Sequence, residues 1–252
     1  VNNVELSRYI EAFKSEARAA GFVLDFDGTL AHVVAKPEEA RPFPEVSDTL
    51  EALASRYPAV ALLSGRRADD LHALVRARGV LYFGVYGAEQ FEDGRLIHPP
   101  QAEEWRAMAS RLAREAEALI VAEGLTGTEV EYKDTAVSIH YRRAKQDHAG
   151  EAILDWAVSA APRKGFEASL GRMVVELRPQ GVSKASAVER VVRERDLKWA
   201  LVAGDDFSDL PALARAGELL GKRALRIGIE SDESPEGLRD VSDLVVSDPK
   251  EI

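Results

Sequence analysis

The 252-residue chain contains no cysteine. That excludes disulfides, thiol nucleophiles and thiolate metal sites. It also lacks any apolar run near the roughly 18 residues of a membrane-spanning helix. Positive charge is in short supply: 33 Lys and Arg stand against 43 Asp and Glu, a net charge of −10 at pH 7. Nucleic-acid binding needs a clustered basic surface, so this balance argues against such a partner. It does not exclude a small anionic ligand, because a phosphate site need only be locally positive. The start, Val1-Asn2-Asn3, has none of the charged-then-apolar pattern of a signal peptide. The expectation is a cytoplasmic monomer that engages neither membrane nor nucleic acid. Asparagine occurs only at Asn2 and Asn3, and there are two methionines. That scarcity accords equally with a thermophilic source and with a GC-rich genome.

What is present reads as a globular α/β protein. Hydrophobic residues make up 46% and charged residues 30%, a composition able to build a sizeable core. Leu6, Ile10, Phe13 and Ala17 recur at helical spacing, with Gly21 as the expected stop. Phe22-Val23-Leu24 is a short apolar run, as expected of a strand buried on both faces of a parallel sheet. The spacing then predicts a helix over Pro44 to Tyr57, a strand over Val60 to Leu63, a helix over Asp69 to Arg78 and a strand over Leu81 to Val85. Such alternation indicates a doubly wound fold. It is interrupted by a hairpin turn at Glu92-Asp93-Gly94-Arg95 and a linker at Pro99-Pro100.

The middle third is different. A long helix through Trp105, Met108, Leu112 and Leu119 precedes an alternating strand, Ala136 to Arg142, with Val137, Ile139 and Tyr141 on one face. A helix over Asp147 to Ala160 follows, then a hairpin of Phe166 to Leu170 with Arg172 to Leu177. Alternation suits a sheet covered on one side. The first pattern resumes after Arg178-Pro179. Ser183 can cap a helix to about Arg195. Trp199 to Ala203 is a strand, a short helix follows, and Ala224 to Ile229 and Leu244 to Val246 complete the core. The expected organisation is a core of residues 1–98 and 179–252, with residues 99–178 as an inserted α+β unit hinged at Pro99-Pro100 and Arg178-Pro179-Gln180.

Four segments carry chemistry. Asp25-Phe26-Asp27-Gly28-Thr29-Leu30 leaves the end of a buried strand, where open α/β sheets place their sites. One carboxylate can attack while the other handles protons. Gly28 allows a sharp turn beside a ligand, and Thr29 is expected to brace that turn by hydrogen bonding. A bare Asp-x-Asp would read as an acidic turn; the whole string after a buried strand does not. Ser64-Gly65-Arg66 ends the second strand, where a hydroxyl and backbone N–H groups suit phosphate. Lys184 opens the helix behind Ser183. Gly204-Asp205-Asp206-Phe207-Ser208-Asp209 again puts carboxylates after a buried strand, and with Asp25 they can hold a hard divalent cation through oxygen.

In order and placement these segments resemble the haloacid dehalogenase superfamily. The resemblance implies a haloacid dehalogenase-like doubly wound core with an inserted α+β cap. It implies Asp25 as the phosphorylated nucleophile, Asp27 as general acid and base, and Ser64 and Lys184 as binders of the transferring phosphoryl group. It also implies Mg2+ held by Asp25, the backbone carbonyl of Asp27 and Asp205, with Thr29, Gly65, Asp206 and Asp209 in support. Such a site needs alignment and charge neutralisation above all.

The strings Val130-Glu131-Tyr132-Lys133, Ser138-Ile139-His140-Tyr141-Arg142 and Val175-Glu176-Leu177-Arg178-Pro179 look like the cap of trehalose-6-phosphate phosphatases. That resemblance implies a small sugar phosphate as partner, with Glu131, Lys133, Arg142 and Glu176 on the glucose hydroxyls. The chain departs from the family pattern at Tyr86, Ala185 and Ser208-Asp209-Leu210, and none of these removes a catalytic group. His140 and His148 read as structural or solvated. The alternatives are a phosphatase for sucrose phosphate or a mannosylglycerate phosphate, a non-catalytic sugar-phosphate sensor, and a phosphomutase. The intact Asp25, Asp27, Lys184 and Asp205 argue against the sensor.

Overall fold

The computed structural model describes residues 3–34, 37–171, 173–232 and 234–251. In chain order the first half holds α1 (Asn3–Ser15), β1 (Ala20–Asp25), α2 (Val46–Ala54), β2 (Ala59–Leu63), α3 (Ala68–Val75), β3 (Leu81–Gly84), β4 (Glu89–Glu92), β5 (Arg95–Ile97) and α4 (Ala102–Ala122). Then come β6 (Glu129–Tyr132), β7 (Val137–His140), α5 (Ala149–Ala160), β8 (Phe166–Gly171) and β9 (Val174–Pro179). The chain closes with α6 (Lys184–Glu194), β10 (Trp199–Gly204), α7 (Leu210–Leu220), β11 (Ala224–Ile229), α8 (Leu238–Val241) and β12 (Leu244–Val246). Two compact units result: residues 1–97 with 183–252, and residues 98–182. Among the described residues no helix is long and apolar enough to cross a membrane.

The first unit is built on an eight-stranded sheet in the order β12-β11-β10-β1-β2-β3-β4-β5. The six strands from β12 to β3 are parallel, and the β4–β5 hairpin adds an antiparallel edge. The central strands are apolar throughout because both faces are covered. Leu24, Leu62, Leu50, Leu71 and Tyr82 pack in one layer, and Val23, Leu63, Phe83, Val188 and Leu213 in the other. The chain runs from β1 outward through β2 and β3, then returns to build β10, β11 and β12 on the other side. The order therefore reverses at β1–β10, the place where doubly wound sheets leave a crevice at their carboxyl ends.

The second unit is a four-stranded antiparallel sheet, β6-β7-β9-β8. One face is covered by α4 and α5 around Leu112, Ile139, Ile153, Phe166 and Leu177. The opposite face carries the polar partners of the alternation, Glu131, Ser138 and Glu176. The unit extends to Val182, where the Gln180 N–H donates to Gly165 O and the Val182 N–H to Pro179 O.

Several local expectations need correcting. The N-terminal helix stops at Ser15, and Gly21 lies inside β1. Gly21 pairs with Ala59 and Ala200, and a Cβ there would meet a Leu197 methyl at 2.7 Å. It permits close packing and ends nothing. The helix expected from Pro44 begins at Val46, because Glu45 takes a left-handed φ of 70°. The strand expected to reach Val85 stops at Gly84, since Val85 and Tyr86 turn with φ of 47° and 60°. β7 stops at His140, so Arg142 lies in the turn beyond it and is exposed. β6 is an additional strand. The expected second hairpin strand began at Arg172, which lies outside the described residues.

The Ser183 cap is as expected. Its hydroxyl accepts the Ser186 N–H at 3.1 Å, and its own N–H donates to Ser186 Oγ at 3.0 Å, a reciprocal capping box. Ser183→Ala should cost about 1 kcal/mol of stability. The check is urea unfolding, which should show a lower midpoint at an unchanged slope.

Candidate active site

Parallel pairing brings distant carboxylates together. Leu24 is level with Ala203, and Asp25 is level with Leu63. Asp25, Ser64 and Asp205 therefore emerge side by side at the carboxyl ends of β1, β2 and β10. All three are buried, at 5%, 2% and 2% relative exposure. The turn after Asp25 is held by main-chain bonds: Phe26 O accepts from the N–H groups of Thr29, Leu30 and Ala31, and the Gly28 N–H donates to Ala31 O. Thr29, expected to brace this turn, makes no hydrogen bond through its buried hydroxyl. Gly28 has a φ of +88°, and a Cβ there would come within 2.1 Å of Asp205 Oδ2. Glycine is what lets the two acidic loops touch.

Lys184 is the cation of this cluster. As the first residue of α6 it is 4% exposed, and its Nζ reaches Asp25 Oδ1 at 2.5 Å and Asp209 Oδ1 at 2.7 Å. The second oxygen of Asp209 accepts the N–H groups of Asp205 and Asp206, at 3.1 and 3.0 Å. Asp209 thus folds its own loop around itself and anchors the lysine. Asp206 Oδ1 accepts the Phe207 N–H. Burial disfavours the Lys184 ammonium, but Asp209 and Asp25 outweigh it and hold its pKa well above the usual lysine value. Burial pushes the Asp25 carboxyl up, as do Asp209 and Asp205, against the opposing pull of Lys184. Asp25 and Asp209 share the one ammonium, while burial, with Asp209 and Asp205 close by, penalises the charge on Asp25.

That cluster tests whether a divalent cation fits. Carboxylate oxygens of Asp25, Asp205 and Asp209 lie within 4.8 Å of one another. The donors are all oxygen, as hard cations require. Three carboxylates gathered this closely around one ammonium form an acidic, all-oxygen donor set, which a divalent cation suits.

The proton-handling candidate is placed separately. Asp27 accepts a bidentate pair from Arg66, Nε to Oδ2 and Nη2 to Oδ1, both at 2.7 Å. Arg66 was not singled out as a site residue. Its position at the end of a strand next to Asp25's strand was the available signal. The loop around it is tightly bound: Ser64 Oγ accepts the Arg66 N–H at 3.1 Å, the Val85 N–H donates to Arg66 O, and the Tyr86 N–H donates to Ser64 O. Gly65 lies close under Tyr86, whose hydroxyl a Cβ there would meet at 2.6 Å.

In the second unit, three of the four expected sugar-reading residues come together. Lys133 Nζ lies 3.6 Å from Glu131 Oε2 and 3.8 Å from Glu176 Oε1. Two partners were missed. The Ser138 hydroxyl donates to Glu176 Oε2 at 2.7 Å, and His140 Nε2 lies 2.8 Å from Glu131 Oε2. His140, expected to be structural or solvated, is half-buried and meets the Glu131 carboxylate. The signal was its position two residues after Ser138, on the face opposite Val137 and Ile139. Burial acts against the Glu131 carboxylate, but His140 and Lys133 prevail and hold its pKa below the usual glutamate value. Arg142 lies in the exposed turn after β7.

The doubly wound sheet with acidic residues at its strand ends is a haloacid dehalogenase-like fold. A haloacid dehalogenase-like hydrolase from Bacteroides thetaiotaomicron superposes with a TM-score of 0.64 at 14% identity, covering 92% of this chain and 95% of that one. The C-terminal domain of the C. albicans trehalose-6-phosphate phosphatase superposes with a TM-score of 0.77 at 20% identity, covering 98% and 92%. These likenesses establish the fold. The family follows from sequence: the trehalose-phosphatase family model matches residues 23–240, and the chain belongs to that family. A trehalose-phosphate phosphatase of Mycobacterium avium (strain 104) is 39% identical over 207 residues, 78% of this chain and 52% of that protein. The chain spans about half, or less, of the length of the curated mycobacterial relatives it matches.

The charge crowding has a measurable consequence. Asp25 carries a raised folded-state pKa, so the stability it contributes is present below its unfolded value and is lost as pH rises through the folded one. In chelator at neutral pH, Asp25→Asn should therefore melt higher than wild type. The gap should shrink as pH is lowered towards the unfolded aspartate value and when a divalent ion is added. Thermal melts across pH, with and without chelator, provide the check.

Proposed function

We propose that the chain is a phosphatase that hydrolyses trehalose 6-phosphate to trehalose and phosphate through an aspartyl-phosphate on Asp25. The observation that carries it is the Asp25–Lys184–Asp209 cluster beside Asp205 at the reversal of the sheet, in a chain of the trehalose-phosphatase family.

Lys184 holds Asp25 Oδ1, which leaves Oδ2 to attack phosphorus as the bond to the sugar oxygen breaks. The same ammonium and the Ser64 hydroxyl bind the transferring phosphoryl oxygens, placing positive charge and a donor where negative charge builds. Asp27 gives a proton to the departing sugar oxygen, then takes one from the water that cleaves the aspartyl-phosphate. Arg66 aims Asp27 through two parallel bonds, and the oxygen that carries the proton has to leave one of them. Mg2+ fits the all-oxygen donor set: Asp25, the Asp27 carbonyl and Asp205 would hold it, with Thr29, Gly65, Asp206 and Asp209 shaping the loops. When bound it supplies charge neutralisation for the phosphoryl group. Residues 1–98 and 179–252 serve in this reading as the catalytic core, and residues 99–178 as the specificity cap.

Glu131, Lys133, Arg142 and Glu176 are proposed to read the sugar. Carboxylates and an ammonium make strong charge-assisted bonds to hydroxyls. The chain is read as a cytoplasmic monomer with a small sugar phosphate as its ligand, in keeping with its acidic composition and lack of cysteine.

A phosphate-release panel over sugar phosphates tests the proposal. Trehalose 6-phosphate should be hydrolysed fastest, with activity lost in excess chelator and restored by Mg2+. Asp25→Asn should fold and release no phosphate. Normal turnover by that variant would remove the covalent mechanism, and a faster sucrose phosphate or mannosylglycerate phosphate would replace the substrate. Glu131→Ala and Glu176→Ala should each lower kcat/KM for trehalose 6-phosphate about ten- to a hundred-fold. Both should leave hydrolysis of p-nitrophenyl phosphate, which has no sugar to read, nearly unchanged.

A further inference from the structure

The polar face of the four-stranded sheet is more ordered than a row of charged side chains needs to be. The registers Glu131↔Ser138, Ser138↔Glu176 and Glu176↔Ser169 set four polar residues in one line across β6, β7, β9 and β8. Cross-strand neighbours share a face, and diagonal neighbours are within reach of long side chains. His140 is paired with Glu129 in register, which makes it the diagonal neighbour of Glu131.

Each glutamate is hydrogen-bonded through one oxygen. Glu131 Oε2 meets His140 Nε2 at 2.8 Å and Lys133 Nζ at 3.6 Å. Glu176 Oε2 accepts from Ser138 at 2.7 Å, while its Oε1 stands 3.8 Å from Lys133, outside hydrogen-bond range. Glu131 Oε1 is thereby left to accept from a ligand, and Glu176 Oε1 can accept beside its ion pair with Lys133. We propose that His140 and Ser138 are positioning residues for the two sugar-reading carboxylates, each tying down one oxygen so that the other presents an acceptor in a fixed direction. This deepens the function proposed above and rests on it.

The physical reason is conformational. A glutamate has three rotatable bonds, and fixing it on binding costs entropy that weakens the ligand's hold. A restraint present before binding removes that cost. The two glutamates differ in their need for it. Glu176 is walled in, with its side chain 6% exposed, whereas that of Glu131 is 43% exposed. The effect of the restraint is therefore larger at Glu131, and His140 is the residue on which to test it. Neither His140 nor Ser138 touches the reacting atoms in this reading, so the loss of either belongs in KM.

The experiment compares wild type, His140→Phe, His140→Gln and Glu131→Ala, each loaded with Mg2+, on trehalose 6-phosphate and on p-nitrophenyl phosphate. Phenylalanine keeps the ring and loses the donor, whereas glutamine keeps a donor at similar reach. His140→Phe should raise KM for trehalose 6-phosphate about tenfold with little change in kcat. His140→Gln should stay near wild type, and neither should alter p-nitrophenyl phosphate hydrolysis. The inference is overturned if His140→Phe keeps the wild-type KM while Glu131→Ala raises it. It is also overturned if glutamine does no better than phenylalanine, or if both substrates suffer equally. If Glu131→Ala is silent as well, Glu131 reads no sugar and the restraint has no purpose. If wild type prefers another sugar phosphate, the trehalose reading fails separately, and the same four proteins decide the inference on that substrate.

Discussion

A single buried ammonium organises the first unit. Lys184 lies between Asp25 and Asp209 with Asp205 beside them, and every nearby feature serves that arrangement. The strands β1 and β10 have to end level so that their carboxylates meet. The helix α6 has to start there, which the Ser183 capping box secures. The loop after β10 has to fold back, which Asp209 secures by accepting two N–H groups of its own loop. Such a cluster is poor evidence for stability, because desolvation offsets much of the attraction between buried charges. What it provides is direction. One oxygen of the proposed nucleophile is fixed by the ammonium.

The second unit works by a different rule. Its sheet has a dry face on α4 and α5 and a polar face holding Glu131, Lys133, Ser138, His140 and Glu176. The first unit presents a buried charge cluster suited to a phosphoryl group, a chemistry common to many substrates. The second presents acceptors and an ammonium in a fixed array, which suits hydroxyls. Solved structures with TM-scores from 0.64 to 0.77 share the fold. A fold hosts many activities, so the fold alone does not name a substrate.

Legibility in the sequence followed the strength of local signals. The runs Val60 to Leu63, Trp199 to Ala203 and Ala224 to Ile229 were readable as strands because a parallel strand covered on both faces has to be apolar throughout. β6 gave no such signal, since Glu129-Val130-Glu131-Tyr132 is a short, half-exposed edge. Gly21 and Glu45 misled in opposite ways. Gly21 looked like a helix stop, and its purpose depends on Leu197, which packs against it from far along the chain. Glu45 took a left-handed conformation that its residue type does not announce. Thr29 was expected to bond its turn, yet the backbone satisfied the turn without it.

The sequence by itself determined the alternation of elements, the strand-end position of Asp25, Ser64 and Asp205, and the kinds of donor available. These are local properties, set by periodicity, apolar runs and turn residues. Only the tertiary structure decided which charges meet. Lys184 and Asp25 are 159 residues apart, Arg66 and Asp27 are 39 apart, and Ser138 and Glu176 are 38 apart. Their pairing depends on strand order and register, which arise from the packing of the whole sheet. The strand-end place of Arg66 and the polar-face place of His140 were legible, but not that they meet Asp27 and Glu131, because a side chain's partner depends on what the fold sets beside it.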